Sequence, residues 1–245
     1  MNKSSVNWNK IPIYRMDDIS IFDIAGPIMV GPSSSHTAGA CKIGQFARAL
    51  FHGSPTDVKF YLHGSFGEVY KGHATDRALL AGVMKLRTSD PRIKDAFKIA
   101  KQKEITYEFI PKDLGKKYHP NTVKVVLKNS RRQIEVTGSS VGGGIIEIVK
   151  IDDFDILLKG RAGKYLSIIA CHKTGVHISR LMVKKVNHLK GVKVAAVSKT
   201  NYGGKTLSII SLEGKRRITI SEIVKIEKSH EGIEFMRSLS KLEKQ

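Results

Sequence analysis

The amino-acid sequence predicts an α+β protein built in two parts. Three observations carry this. Residues 1–152 mix strand-like and helix-like stretches in irregular order, the remainder reads as a compact βαββα pattern with a short closing strand, and the one acidic cluster of a basic chain separates the two. That cluster, Asp152-Asp153-Phe154-Asp155, sets the expected boundary, giving parts 1–152 and 153–245. A chain of 245 residues accommodates two ordinary domains.

After an opening segment containing Trp8, the stretch from Ile19 to Gly31 is apolar and turn-rich. From His36 to Phe51, the residues Ile43, Phe46, Ala47 and Leu50 fall at helical spacing, with Lys42 and Arg48 off that face. Ser35 is the expected N-cap, its hydroxyl placed to accept from a free backbone N–H of the first turn. Val58 to Phe66 alternates as a strand does, and Gly64 and Gly67 break it. Helices follow over His73 to Leu86 and, after Pro91, from Arg92 to Lys101. Four strands complete the first part: Ile105 to Ile110, Thr122 to Leu127, Arg132 to Thr137 and Ile145 to Ile151, the last two joined across SSVGGG.

In the second part the spacing predicts strand Tyr165 to Ala170, helix Val176 to Leu189, strands Val192 to Ser198 and Thr206 to Leu212, helix Ser221 to Lys228 and a segment Ile233 to Met236. The helix at Val176 rests on the apolar stripe Val176, Leu181, Val183, Val186 and Leu189. With Ile233 to Met236 as a last strand, the order is the ferredoxin-like βαββαβ.

A hydrophobic fraction of 41% and a charged fraction of 26% are those of a globular protein able to bury a core and do not suggest disorder. No apolar run approaches the roughly 20 residues that span a bilayer, and the first residues lack the apolar core of a signal peptide, so the expected location is the cytoplasm, with no membrane partner. Forty-two Lys and Arg against 22 Asp and Glu give a net charge of +20. The charge is spread evenly, and the longest basic run is only Lys215-Arg216-Arg217, which favours a solvated basic surface or an acidic protein partner over nucleic acid. The two cysteines, Cys41 and Cys171, are too few for a disulfide framework or an iron–sulfur cluster, and no metal ligands are expected on this chain.

Four short motifs carry possible chemistry. In GPSSSHTAG (Gly31 to Gly39) the hydroxyls of Ser33, Ser34, Ser35 and Thr37, together with helix N-terminal N–H groups, suit a carboxylate or phosphate, while His36 is able to transfer a proton near neutral pH. The plainer reading is a helix cap with polar neighbours. Lys71-Gly72-His73-Ala74-Thr75-Asp76 opens another helix and reads as a second cap, with Asp76 in its first turn. His119-Pro120-Asn121-Thr122 reads as a turn. Gly142-Gly143-Gly144 lacks the Lys and Ser/Thr of a phosphate loop and reads as a hairpin turn.

Taken together, GPSSSHTAG, HGSFGEVYKGHATDRALLAG, HPNTV and SSVGGGIIEI occur here in the order seen in the β chain of the bacterial iron-sulfur L-serine dehydratases, and the resemblance runs from about Ile19 to the end of the chain. It implies a β-chain domain similar to the allosteric substrate-binding domain of some phosphoglycerate dehydrogenases, followed by an ACT domain on the ferredoxin-like pattern. It further implies an L-serine ammonia-lyase of serine catabolism and gluconeogenesis, active only as a heterodimer with an α subunit. That α chain carries the 4Fe-4S cluster, and the pair converts L-serine to pyruvate and ammonia.

On this resemblance Ser33, Ser34, Ser35 and Thr37 bind the substrate, His36 is the candidate general base or orienter, and His73, Asp76 and Asn121 are supporting residues, against their plainer capping and turn roles. Thr174, Gly175 and Val176 stand where ACT domains bind amino-acid effectors, and the ACT part is expected to pair with another copy. Many ACT domains have Pro-Gly at this point; Thr174 here replaces the proline, leaving effector binding and purely structural dimerisation both open. A stand-alone amino-acid-sensing regulatory protein is the alternative reading. It would bind an amino acid without any α chain.

Overall fold

In a computed structural model the described residues are 29–160, 167–213, 216 and 218–239. The opening segment with Trp8, most of the apolar stretch before Gly31, the start of the strand expected at Tyr165, and Lys215 and Arg217 lie outside them.

A π-helical turn, Ser34–Gly39, runs without a break into helix α1 (Ala40–Leu50). Then come strand β1 (Asp57–His63), helices α2 (Ser65–Val69) and α3 (Thr75–Val83), a 3₁₀ turn Pro91–Asp95, and α4 (Ala96–Gln102). Strands β2 (Thr106–Pro111), β3 (Thr122–Lys128), β4 (Gln133–Gly142), β5 (Ile145–Ile151) and β6 (Phe154–Gly160) follow. All six strands form one sheet in the order β2-β1-β3-β4-β5-β6. The β1–β2 pair is parallel, bridged by the helical crossover, and the other neighbours are antiparallel.

The second part comprises β7 (Ser167–Lys173), α5 (Val176–Asn187), β8 (Lys193–Tyr202), β9 (Lys205–Glu213), α6 (Ile220–Glu227) and β10 (Ile233–Ser238). Its sheet order, β10-β7-β9-β8, is that of a ferredoxin-like fold, so the mixed α+β architecture expected from the sequence is the one found. Helix α6 starts at a capping box, in which Thr219 accepts from Glu222 N and Glu222 accepts from Thr219 N.

Several local expectations change. The N-cap is Ser33, whose Oγ accepts from His36 N at 3.1 Å, and not Ser35, which lies inside the π turn. Lys42 is buried rather than facing away from the core, because α1 is covered on that side by the β4–β5 turn, where Lys42 Nζ donates to Gly144 O at 2.8 Å. Gly64 and Gly67, read as strand breakers, flank or belong to the short helix α2. Asp152 and Asp153 make the turn between β5 and β6, so the first sheet continues past the acidic cluster to Gly160.

The two sheets share apolar packing. Strand β7 is buried on both faces: Ile168 and Ala170 face the core beneath α5 and α6, while Ile169 and Cys171 join the core of the first part with Leu207 and Leu239. Within the first part, α1 and α3 cross at two glycines. A Cβ on Gly82 would stand 2.1 Å from Cys41 O, and one on Gly44 would stand 2.4 Å from Leu79 O. A methyl group there forces the helices apart, so Gly82→Ala should lower the unfolding free energy by about 2 kcal/mol or more, measured by urea denaturation.

Asp152 supplies a pH-dependent test. Its backbone is left-handed (φ 47°), its Oδ1 accepts from Glu135 N at 2.8 Å, and burial raises its pKa to about 6. Because the folded-state pKa lies above the unfolded one, the protonated carboxyl favours folding, and this contribution is lost as pH rises from about 4 through about 6. Asp152→Asn keeps the acceptor and tolerates the left-handed backbone. It should be more stable than the parent at pH 7.5, by about 1–3 kcal/mol, with the difference vanishing near pH 4.

Candidate active site

The serine loop owes its shape to the residues at its two ends. Gly31 has φ 133°, and a Cβ there would stand 2.4 Å from the Thr37 side chain. A Cβ on Gly39 would stand 2.0 Å from Ser140 Oγ. Both glycines therefore permit close approach, one of the loop to itself and the other of the loop to β4. Between them Ser33 O accepts from both Thr37 N and Ala38 N, at 2.9 and 3.4 Å, which widens the first turn into a π turn. Ser33, Ser34, Ser35 and His36 are half-buried, whereas Thr37 is buried.

Residues from the other three motifs converge on this loop. His36 Nε2 lies 3.1 Å from Ser65 Oγ, at the start of α2, and the His36 ring sits 5.3 Å from Phe66 and 5.0 Å from His73 between centroids. Thr37 Oγ1 donates to His73 O at 3.1 Å, tying the loop to the segment before α3. Pro120 O accepts from Phe66 N, and Asn121 O accepts from Ser140 N at 2.9 Å, so HPNT joins α2 to β4.

Three buried polar atoms in or beside this cluster have no hydrogen-bond partner among the described residues: His73 Nδ1, Thr75 Oγ1 and Ser140 Oγ. Leaving such an atom unpaired costs about 1–3 kcal/mol. They are concentrated next to the serine–histidine loop, which leaves polar groups there without partners among the described residues. The pKa of His36 is lowered, first by burial and then by the charge of His73. Its imidazole is thus neutral at pH 7 and able to accept a proton.

Among the expected residues, Ser33, His36, Thr37 and His73 make the contacts just described, and Ser34 and Ser35 share their π turn. Asn121 enters through its backbone. Asp76 is buried, accepts from Arg77 N at 2.7 Å through Oδ1, and has a pKa raised chiefly by burial. Three further residues at the cluster, Ser65, Thr75 and Ser140, are not distinguished by the sequence alone, although each lies inside one of the four motifs. The available signal was the motif itself, since a lone Ser or Thr in a strand or helix start has no distinguishing pattern. Thr174, Gly175 and Val176 stand apart in the second part, at the start of α5. Thr174 Oγ1 lies 3.2 Å from Thr206 Oγ1, and the space where a Gly175 Cβ would point is open.

The described residues do not fit an iron–sulfur cluster. Cys41 and Cys171 are both buried in packed cores, the Cys171 thiol is pushed up to about 12 by burial and Glu234, and no group of three or more His, Cys, Asp or Glu among the described residues could hold a metal ion.

The family model described as serine dehydratase beta chain matches residues 20–150. The chain belongs to the serine dehydratase β-chain family. This β-chain match takes in all four motifs that build the cluster. An L-serine dehydratase beta chain of Peptoniphilus asaccharolyticus is 49% identical over 146 residues, covering 59% of this chain and 66% of the relative. A probable L-serine dehydratase beta chain of Bacillus subtilis is 48% identical over 141 residues, covering 58% and 64%. An L-serine dehydratase of Helicobacter pylori is 32% identical over 151 residues, covering 52% of this chain and 32% of the relative. The matched region thus spans somewhat less than two thirds of these β-chain relatives. No helix among the described residues is long and apolar enough to cross a membrane.

If Ser140 Oγ serves recognition rather than folding, its removal should not weaken the protein. Ser140→Ala is expected to leave the thermal midpoint unchanged or higher by calorimetry, whereas a loss of more than about 1 kcal/mol would show a hydroxyl already satisfied within the fold.

Proposed function

We propose that this chain is the β subunit of an L-serine ammonia-lyase that works only together with a separate α subunit. The observation that carries this reading is the convergence of four sequence-distant motifs on one cluster, where a neutral histidine faces hydroxyls and unpaired buried polar atoms. A 4Fe-4S cluster, assigned by the family resemblance, falls to the α chain because the cysteines described here are committed to packing.

In the reaction L-serine loses its α-proton and its β-hydroxyl, the latter as water. The resulting enamine tautomerises to an imine, and water hydrolyses that to pyruvate and ammonia. This chain's part is to hold and deprotonate. Ser33, Ser34 and Ser35 would receive the carboxylate at the π turn, with Ser65 and Ser140 as further hydroxyls, while Thr37, whose hydroxyl proton goes to His73 O, would hold the turn in shape. His36 would take the α-proton at a ring nitrogen, its neutral state favoured by burial and by His73. His73 is a positioning residue through its carbonyl, which holds Thr37. Asp76 and Asn121 would shape the walls.

For the second part we propose an ACT-type regulatory unit with Thr174, Gly175 and Val176 at the effector entrance and pairing between copies. The open space at Gly175 supports an effector. The continuous sheet through β6 supports a division of the chain after Gly160.

The deciding experiment is anaerobic co-expression with a cluster-bearing α chain, with pyruvate formation from L-serine assayed for the mixture and for each chain alone. Activity only in the mixture is expected. Amino-acid binding by this chain alone, with no activity in a stable complex holding an intact cluster, would instead make it a sensor. In the active pair His36→Ala should reduce kcat by about 100-fold or more; a change within about threefold would remove His36 from proton transfer. Because the His36 pKa is lowered, the acid limb of kcat/KM should fall below pH 6.5.

A further inference from the structure

A cavity of about 770 Å³ lies far from the serine loop, where the C-terminal end of α1 meets α6 and β10. Its walls come from both parts of the chain. They carry Arg48, Lys85, Arg87 and Arg237 with His52, and no Asp or Glu is among the lining residues. Phe51, Ile223 and Met236 supply apolar surface.

Arg237 is the most informative wall residue. It is only 9% exposed, and its Nη1 donates to Glu227 Oε2 at 2.6 Å. Its Nε and Nη2 are buried with no partner among the described residues. Those two nitrogens form one edge of the guanidinium, the edge that donates two parallel hydrogen bonds to a carboxylate or phosphate. One carboxylate behind the arginine therefore neutralises it while its bidentate edge stays unused. Burial lowers the His52 pKa, and Arg237, Arg132 and Arg48 lower it further against the opposing charge of Glu227. The volume is that of a site for a small organic molecule.

We infer that this cavity binds a small organic anion: Arg237, whose Nε and Nη2 are shielded in the unliganded fold, turns that edge into the cavity to donate to the ligand's carboxylate or phosphate, while the ligand's apolar remainder lies on Phe51, Ile223 and Met236. Arg48 and Arg87 add longer-range attraction. The site needs no α chain and stands whether or not the proposed reaction does. A ligand there would touch α1 at the end opposite the serine loop, and would bridge the two parts.

The test is isothermal titration calorimetry of the whole chain at low ionic strength, with phenyl phosphate, benzoate and inorganic phosphate as probes. Phenyl phosphate or benzoate should bind, with the stronger of the two identifying the anionic group, and inorganic phosphate should bind more weakly than phenyl phosphate for lack of the apolar contact. Arg237→Met should weaken binding by about tenfold or more, and Arg87→Gln by about threefold or more. Lys101→Gln, on the exposed face of α4, should change nothing. Should Arg237→Met fail to fold, Ile220→Asp places a carboxylate on the cavity wall at a side chain 62% exposed and should also abolish binding. The inference is overturned if neither organic anion binds, if a folded Arg237→Met leaves affinity unchanged, if Arg87→Gln and Ile220→Asp leave affinity unchanged, or if Lys101→Gln weakens binding as much as they do.

Discussion

The crossing of α1 and α3 at Gly44 and Gly82 is the constraint on which the first part is arranged. With no side chain at either position, backbone meets backbone, and the two helices lie closer than any pair bearing methyl groups there could. That distance has a functional consequence. The π turn ahead of α1 and the His73 segment ahead of α3 are carried by these two helices, so their contact, Thr37 Oγ1 on His73 O, depends on the crossing. Gly138 does the same on the other side, where a Cβ would stand 3.1 Å from Ile43 and 2.9 Å from Ile148. Three glycines thus seat α1 against both its helix and its sheet.

On this rigid base the site keeps its polar groups incompletely paired. Most buried donors and acceptors in a folded protein find partners, since each one left alone costs about 1–3 kcal/mol. Here His73 Nδ1, Thr75 Oγ1 and Ser140 Oγ do not, and they lie in or next to one loop. The apolar cores of the two parts are large enough to tolerate that expense. Arg237 shows the same pattern with a different chemistry: its charge is matched by Glu227, yet its hydrogen-bonding edge is not. The two places differ in what they offer, hydroxyls and imidazole at one and guanidinium at the other.

Much of the architecture was legible because it follows hydrophobic period. The alternation of Val58, Phe60 and Leu62 became β1, and the apolar stripe after Val176 became α5. What escaped notice depended on distant neighbours or on single backbone angles. The sequence offers no strand where β6 lies and assigns its residues to the second part, because Asp152-Asp153 reads as a charged boundary, whereas the left-handed backbone of Asp152 makes it a hairpin turn. Lys42 reads as facing away from the core because its charge is local information, whereas the carbonyl of Gly144 that receives it is 102 residues away. The cap moved from Ser35 to Ser33 because a π turn winds more residues into one turn than an α-helix does. Of the site, the loop and His73 could be named from residue types in motifs. Ser65 and Ser140 became visible only when the fold brought α2 and β4 to His36 and Gly39.

The long separation between Gly39 and Ser140 also bears on how the protein comes into being. The serine loop is made early in synthesis, but its far wall belongs to a strand made about a hundred residues later, and Lys42 finds Gly144 only then. Closing so long a loop of chain is slow relative to local helix formation. A growing chain that already carries every serine and His36 therefore has these side chains without the strand they pack against. The cluster is complete only with the β4–β5 hairpin, which makes that hairpin the last act of its assembly.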